Sequence, residues 1–446
     1  MRKALLSIVI ALACTTMLAQ SIYICKGGEY TKVDIAEGLE ISLMEGIDSI
    51  TFYEPQFCVP IPDTGLPVVC INTPGKVSIT SKEEWMENAS ITIINADGSI
   101  GYSDEALQIR GRGNTSWGKP KKPYALKLSR SAEILGMPRH KRWVLLANWM
   151  DRTLMRNDIA FHISSLTGLE WTPRGVFVEV VLNGKHIGNY YLCEQIKIDE
   201  NRVNVTKMKA TDVDGEDVTG GYLVELDIYY DEINKFRSAT KSLPYMFKDP
   251  DEDLLQPAQF SYFENYVNTM EKKLYGSDWL ATREYTDYID LNSFVDWWFV
   301  HELMTNDESA HPKSSYMHKD RNGKLKAGPV WDFDYYTLSP KKASVWTAKS
   351  DIYYDRLFSD PQFVALVKER WAMFKPRFDT VPTYIRKVAS EIRASNEINY
   401  KMWPLSAHSD GSVNGDKDLP FDDAIDRLIS VYNAKLSWLD SQIKSL

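Results

Sequence analysis

The stretch "GVFVEVVLNGKHIGNYYLCEQI", Gly175 to Ile196, decides how this chain is read. β-branched and aromatic residues alternate on both sides of Asn183-Gly184, a pair that accepts the two positive φ angles of a tight turn between antiparallel strands. A β-hairpin is predicted here. Upstream, "PVVCINT" (67–73), "ASITIINADG" (89–98) and "YALKLS" (124–129) continue the strand reading. Beyond Pro257 the apolar spacing becomes helical, in "AQFSYFENYVNTMEKKLY" (258–275), in "LNSFVDWWFVHELM" (291–304), in 360–374 and in two long segments ending at Leu446. A β-rich half followed by an α-rich half predicts an α+β fold with a sheet lobe, a helical lobe and a ligand cleft between them.

At 446 residues the chain is long enough for two or three packed units. Its net charge of -9 argues against a nucleic-acid partner, which requires clustered Lys and Arg in excess. Any anion site must therefore be local. Met1-Arg2-Lys3, an apolar run from Ala4 to Ala13 and small residues ending near Ala19 have the layout of a secretory signal over 1–19. This predicts export to the periplasm, the cell surface or the medium, either by cleavage after Ala19 or as a lipoprotein anchored at Cys14. No later stretch approaches the roughly 20 apolar residues of a membrane-spanning helix, so no transmembrane span is expected in the mature chain. "SIYICKGGEY" and "DSITFYEP" predict a small β unit over 20–58, ending in a proline-marked linker. Cys25, Cys58, Cys70 and Cys193 match no zinc or CxxC spacing; a Cys58–Cys70 disulfide and buried free thiols both remain open.

Three segments carry candidate chemistry. "IRGRGNTSWGKPKKPYALKL", Ile109 to Leu128, gathers Arg110, Arg112, Lys119, Lys121, Lys122 and Lys127 in an acidic protein, with Gly111, Gly113 and Gly118 allowing close backbone approach to an anion. A solvated basic turn would read the same. Lys127 alternates with Tyr124, Leu126 and Leu128, which places it on a strand as a phosphate clamp or an ordinary surface lysine. In "GPVWDFDYY", Asp332 and Asp334 at i and i+2 would share one face of an extended segment, a pairing suited to Mg²⁺. In "HELMTNDESAHPKSSYMH", Asp307 follows an amphipathic helix, and a hairpin turning at Gly323 could return it to Asp332. Glu194, Asp199, Glu225 and Asp227 near predicted strand ends are weaker candidates. The seven histidines show no HExxH spacing, and there is no GxSxG elbow.

Taken in order, "RGRGNTSW" with "KKPYALKL", "LLANWMDRTLMRNDIA", "YYLCEQI" and "NDESAHPKSSYMHKDRNGKLKAGPVWDFD" resemble the CotH kinase family of spore coat protein H-like atypical protein kinases. The signal and short β unit resemble those of exported Bacteroidetes-type proteins. The resemblance covers about 65–375, leaving 376–446 as a C-terminal helical extension packed on the C-lobe. It implies a divergent protein-kinase-like two-lobed fold that binds ATP and Mg²⁺, and transfer of the γ-phosphate to a Ser/Thr hydroxyl of an exported or surface protein. By the same resemblance Asp307 would orient or deprotonate the acceptor hydroxyl. Lys127, with Arg110 and Arg112, would hold nucleotide phosphates, and Glu194 would meet the adenine. Asp332 and Asp334 would bind metal. Where many relatives have Asn after Lys, Lys313 is followed by Ser314, a poorer Mg²⁺ ligand than an amide oxygen. Two other readings are a non-catalytic surface or matrix binding protein on a kinase-like fold, and a carbohydrate-active hydrolase using paired acids. The second leaves the basic 110–127 cluster unexplained.

Overall fold

The computed structural model describes residues 21–26, 29–34, 49–51, 63–251, 253–404 and 414–446. The expected signal peptide, Cys14 and Cys58 lie outside the described residues. Strands β1 (Ser21–Lys26), β2 (Glu29–Asp34) and β3 (Ser49–Thr51) form an antiparallel sheet in the order β2-β1-β3.

The main β region is a closed barrel. It is built from β4 (Val68–Asn72), β5 (Met86–Ile94), β6 (Ile100–Gly111), β7 (Tyr124–Ile134), β8 (Met137–Leu146), β9 (Gly175–Leu182) and β10 (Lys185–Glu194). The predicted hairpin is β9–β10, turned by Asn183 at φ 53° and Gly184 at φ 79°. Closure needs more than hairpins: β4 pairs in parallel with β9, Val68 opposite Glu179 and Ile71 opposite Leu182. The turn residue Asn183 helps to fix that pairing, since its Oδ1 accepts from Thr73 N at 2.8 Å and its own N–H donates to Ile71 O at 2.8 Å.

Alternate residues of the barrel strands serve two cores. Val69, Ile91, Ile109, Leu126, Trp143, Leu145, Tyr190 and Leu192 fill the barrel. Val144, Leu146, Phe177, Tyr191 and Cys193 point outward into the larger core that contains the helices. Burial on both faces accounts for the unbroken apolar run at the end of β8. Cys70 and Cys193 are buried free thiols.

A second sheet, in the order β12-β13-β11-β14-β15, comprises β11 (Tyr222–Leu226), β12 (Lys235–Arg237), β13 (Pro244–Asp249), β14 (Ser315–Lys319) and β15 (Leu325–Ala327). The longer helices are α1 (Arg156–Ser165), α2 (Pro257–Tyr275), α3 (Leu291–Leu303), α4 (Pro361–Phe378), α5 (Val381–Met402) and α6 (Phe421–Ser445). The α+β order expected from the sequence is present, with β4–β10 first and most helices after Pro257. Helix α2 lies on the second sheet through Phe263, whose ring stands 5.0 Å from Tyr222 and 5.5 Å from Phe247. Helix α3 starts at Asp290, which accepts from Ser293 N at 2.8 Å, and is buried along most of its length. Helix α5 packs against β10 of the barrel, where Asn189 donates to Ser395 Oγ at 2.8 Å, as well as against α6. Glu302 of α3 and Lys435 of α6 form a fully buried ion pair at 2.8 Å, and Glu302 also accepts from the Thr347 and Ala348 amides. Among the described residues no helix is long and apolar enough to cross a membrane.

His301 of α3 is buried and stacked on Trp297 at 3.6 Å, and its ring nitrogens have no partner among the described residues. Burial pushes its pKa down from 6.5 to about 3. The unfolded chain therefore takes up a proton as pH falls through 6.5 while the folded chain does not, and stability is lost progressively down to about pH 3. Urea midpoints measured at pH 7 and pH 4.5 should fall less for His301→Phe, which keeps the stack, than for wild type. Equal losses would show that His301 does not drive the acid sensitivity.

Candidate functional site

A cavity of about 660 Å³ opens between the barrel and the second sheet. Its barrel side is the loop leaving β6, the end of β8 and the link after β10; the other side comes from the ends of β11 and β13, the turn before β14 and residues 331–335.

The basic wall follows from strand alternation. Arg110 and Arg112 stand two apart, with Gly111 between them in close contact with Trp117: a Cβ there would lie 2.4 Å from the indole ring. Gly113 at φ 79° then turns the chain into the loop. Arg110 donates to Glu83 O at 2.8 Å and lies over Trp85 at 4.6 Å. Arg112 lies over Trp331 at 5.3 Å and has no carboxylate within ion-pair distance among the described residues. A guanidinium held by an aromatic face, with no ion-pair partner among the described residues, is suited to a phosphate or carboxylate.

The acidic wall is a strained turn rather than the regular extended segment expected. Asp332 has φ 68°, and Phe333 between the two acids is fully buried. Phe333 N donates to Asn157 Oδ1 of α1 at 2.7 Å, which pins the backbone while Asp332 and Asp334 line the cavity. Burial, followed by the charges of Asp332, Asp151 and Glu308, pushes the Asp334 carboxyl well above the usual range. Burial and Asp332 likewise raise Glu308 to about 7, although Lys313 at 3.1 Å pulls the other way. Asp227 is raised to about 6 by burial, against hydrogen bonds from Tyr229 N at 2.8 Å and Ser314 N at 3.1 Å.

Burial first, and the closeness of the acids second, thus disfavour their charged forms, and a cation arriving with a ligand would favour them. Among the described residues no three His, Cys, Asp or Glu side chains converge as a complete metal cage. Magnesium does not need one, because it is commonly held by one or two carboxylates, waters and the substrate's phosphate oxygens. The oxygen donors of Asp332 and Asp334 fit that requirement.

Of the residues singled out from the sequence, Arg110, Arg112, Ser314, Asp332 and Asp334 come together in this one cavity. Lys127, Glu194 and Asp307 are not among its lining residues. Lys127 is on the outer face of β7 opposite Gln108 and Arg142, one outward position beyond Ala125, which does line the cavity. Glu194 is fully buried and takes two hydrogen bonds from the Arg174 guanidinium, both at 2.9 Å. It anchors the strand end from which Gln195, Ile196 and Lys197 reach the cavity. Asp307 is partly exposed and paired with Lys342 at 2.7 Å. Its neighbour Glu308 lines the cavity instead. Asn157 and Lys248 were not picked out from the sequence. Asn157 stands in "LLANWMDRTLMRNDIA", where polar residues interrupting an apolar run were the available signal; Lys248, paired with Glu225 at 3.1 Å, left none.

A family model described as CotH kinase protein matches residues 108–439, so it includes the C-terminal helices. No curated protein matches the chain.

If Arg112 is an anion-binding side chain, tripolyphosphate with Mg²⁺ should stabilise the wild type against heat, and Arg112→Ala should weaken that binding by about tenfold or more. This is the scale of one charge-assisted hydrogen bond, about 1.5–3 kcal/mol. Trp331→Leu, which removes the aromatic support of the guanidinium and the stack on Phe161 but leaves the Arg112 charge, should weaken it less, and an unchanged affinity in Arg112→Ala would remove the basic wall from the site.

Proposed function

The chain belongs to the CotH kinase family, and on that premise we propose that it is a secreted atypical kinase that transfers the γ-phosphate of ATP to a Ser or Thr hydroxyl of an exported or surface protein. The barrel and the helical half act as the two lobes of a kinase-like fold, with the nucleotide in the cavity between them. The observation that carries this reading is that Arg112 and Asp332 share one cavity: the guanidinium, with no carboxylate partner among the described residues, lies over Trp331, and Asp332 is the next residue along the chain. Phosphoryl transfer requires mainly positioning and charge neutralisation, and this pairing supplies both signs.

Ala125, Leu146, Ile196 and Met246 give the cavity an apolar flank for a base, and Arg110 and Arg112 face the phosphates. Asp332 and Asp334 would hold Mg²⁺, with Ser314 beside them on a backbone fixed by Asp227. When bound, Mg²⁺ supplies neutralisation of charge on the phosphate oxygens. Asp307, kept in place by Lys342, accepts the proton of the acceptor hydroxyl as its oxygen bonds to the γ-phosphorus; the bond from that phosphorus to the β,γ-bridging oxygen breaks and ADP leaves. Lys127 and Glu194 act at one remove in this scheme, Glu194 by anchoring the link after β10.

Mg²⁺ with ATP at about a hundred times its Kd should stabilise the wild type by about 2.7 kcal/mol, and Asp332→Ala should lose most of that gain. Transfer of the labelled γ-phosphate to a co-secreted protein should disappear in Asp307→Ala while the ATP-dependent thermal shift persists. Absence of any nucleotide shift in the wild type would favour a non-catalytic binding protein, and transfer surviving in Asp307→Ala would reassign the base.

A further inference from the structure

The acidic turn is held in part from the far end of the chain. Asn414, just ahead of α6 and 1% exposed, donates its amide hydrogens to Asp334 O and to Met150 O, each at 3.0 Å. Two residues on, Asp416 accepts from Arg156 Nη2 at 2.5 Å. Arg156 also pairs with Asp151 and donates from Nε to Thr337 O at 3.2 Å. The carbonyls of residues 334 and 337, which bracket the second half of the turn, are therefore both tied to residues 414–416, one directly and one through a buried guanidinium.

The turn needs such ties. Asp332 occupies the left-handed region that an L-residue with a side chain enters at a cost. Left to itself, the segment would relax toward an ordinary backbone conformation. Asn157 restrains it at Phe333 N, but nothing on α1 alone reaches the Asp334 carbonyl.

From this geometry we infer that Asn414 and Asp416 are positioning residues for the metal-binding acids, so that the cavity's affinity for a divalent cation is set partly by the C-terminal segment. The inference rests on the nucleotide-and-metal reading given above. It makes the segment ahead of α6 a working part of the site rather than an appendage of the helical half.

The test uses the full chain and measures binding, with Mn²⁺ as a spectroscopic probe and with the Mg²⁺ concentration that gives half the ATP-dependent thermal shift. In Asn414→Ala and in Asp416→Asn, both quantities should weaken by about tenfold, the usual effect of losing a side chain that orients a metal ligand. ATP binding without metal, which depends on Arg110 and Arg112, should stay within twofold of wild type. A purely structural role would lower the melting temperature of the free protein and leave the Mg²⁺ midpoint unchanged; that result in a folded variant overturns the inference. If Asn414→Ala does not fold, Asn414→Leu, which fills similar space without the amide donors to Asp334 O and Met150 O, decides alone. A wild type that binds neither Mn²⁺ nor ATP overturns the functional reading itself, and is told apart because the failure is then in the unaltered protein.

Discussion

The buried guanidinium of Arg156 is the interaction on which the site depends. At 1% exposure, burial alone would drive down its affinity for the proton, yet Asp416 and Asp151 reverse the balance and hold it above the ordinary arginine range. A charge so placed is tolerable only while both carboxylates remain; removal of one partner from a buried pair typically costs about 3–5 kcal/mol. The triad thus locks three segments that are distant in sequence: the turn before α1, the start of α1 and the approach to α6. The Asp332–Thr337 turn is hung from that lock by Arg156 and Asn414 and from α1 by Asn157. Local preference would not place Asp332 at φ 68°, a region that costs an L-residue about 1–2 kcal/mol, so its position is imposed by these long-range partners.

With that turn fixed, the charge pattern of the cavity becomes intelligible. Most of the cations near it are already engaged: Lys248 with Glu225 and Glu232, Lys313 with Glu308, and Lys342 with Asp307. Among the described residues Arg112 is held by a ring and no carboxylate, so its charge can be offered to a ligand without first breaking an ion pair there. On the proposed reading, an acidic protein with a net charge of -9 keeps one local anion site in this way. The same aromatic ring is packed from behind by Phe161 of α1 at 5.7 Å, so the cationic and acidic sides of the cavity share one rigid backing.

Much of this was legible in the sequence because it is local. The Asn183-Gly184 hairpin, the β-to-α order, the turn at Gly323 and the outward alternation of Lys127 all depend on period and turn chemistry. Barrel closure was not legible: the parallel pairing of 68–71 with 179–182 joins residues more than a hundred positions apart, and alternation along a strand does not name its partner. Alternation told which face Lys127 occupies but not how far along β7 the cavity reaches, which is why Ala125 lines it. Glu194 read as a strand-end acid facing a cleft, whereas the nearby Arg174 and Arg202 draw it inward. The contribution of Asn414 was invisible for the same reason as barrel closure, since its partners Asp334 and Met150 are 80 and 264 residues away.

The difference between Asp307 and Glu308 is one residue, and the local backbone explains its consequence. The chain enters a 3-10 turn at Glu308–Ala310, and Asp307 precedes it with a non-helical backbone, φ -112° and ψ 9°, so the two side chains leave in different directions. Asp307 consequently meets Lys342 near the surface while Glu308 meets Lys313 inside the cavity. For a small-molecule acceptor able to enter the cavity, Glu308 would be the better placed of the two. A hydroxyl carried on a protein cannot travel so deep, because its flanking backbone must stay in solvent or on the surface. The acid that serves it has to stand at the boundary between cavity and solvent, with its carboxylate partly exposed and its position held by a partner. Asp307, 37% exposed at its side chain and paired with Lys342, is the more accessible of the two and fits the proposed role, whereas Glu308, 12% exposed, lines the cavity.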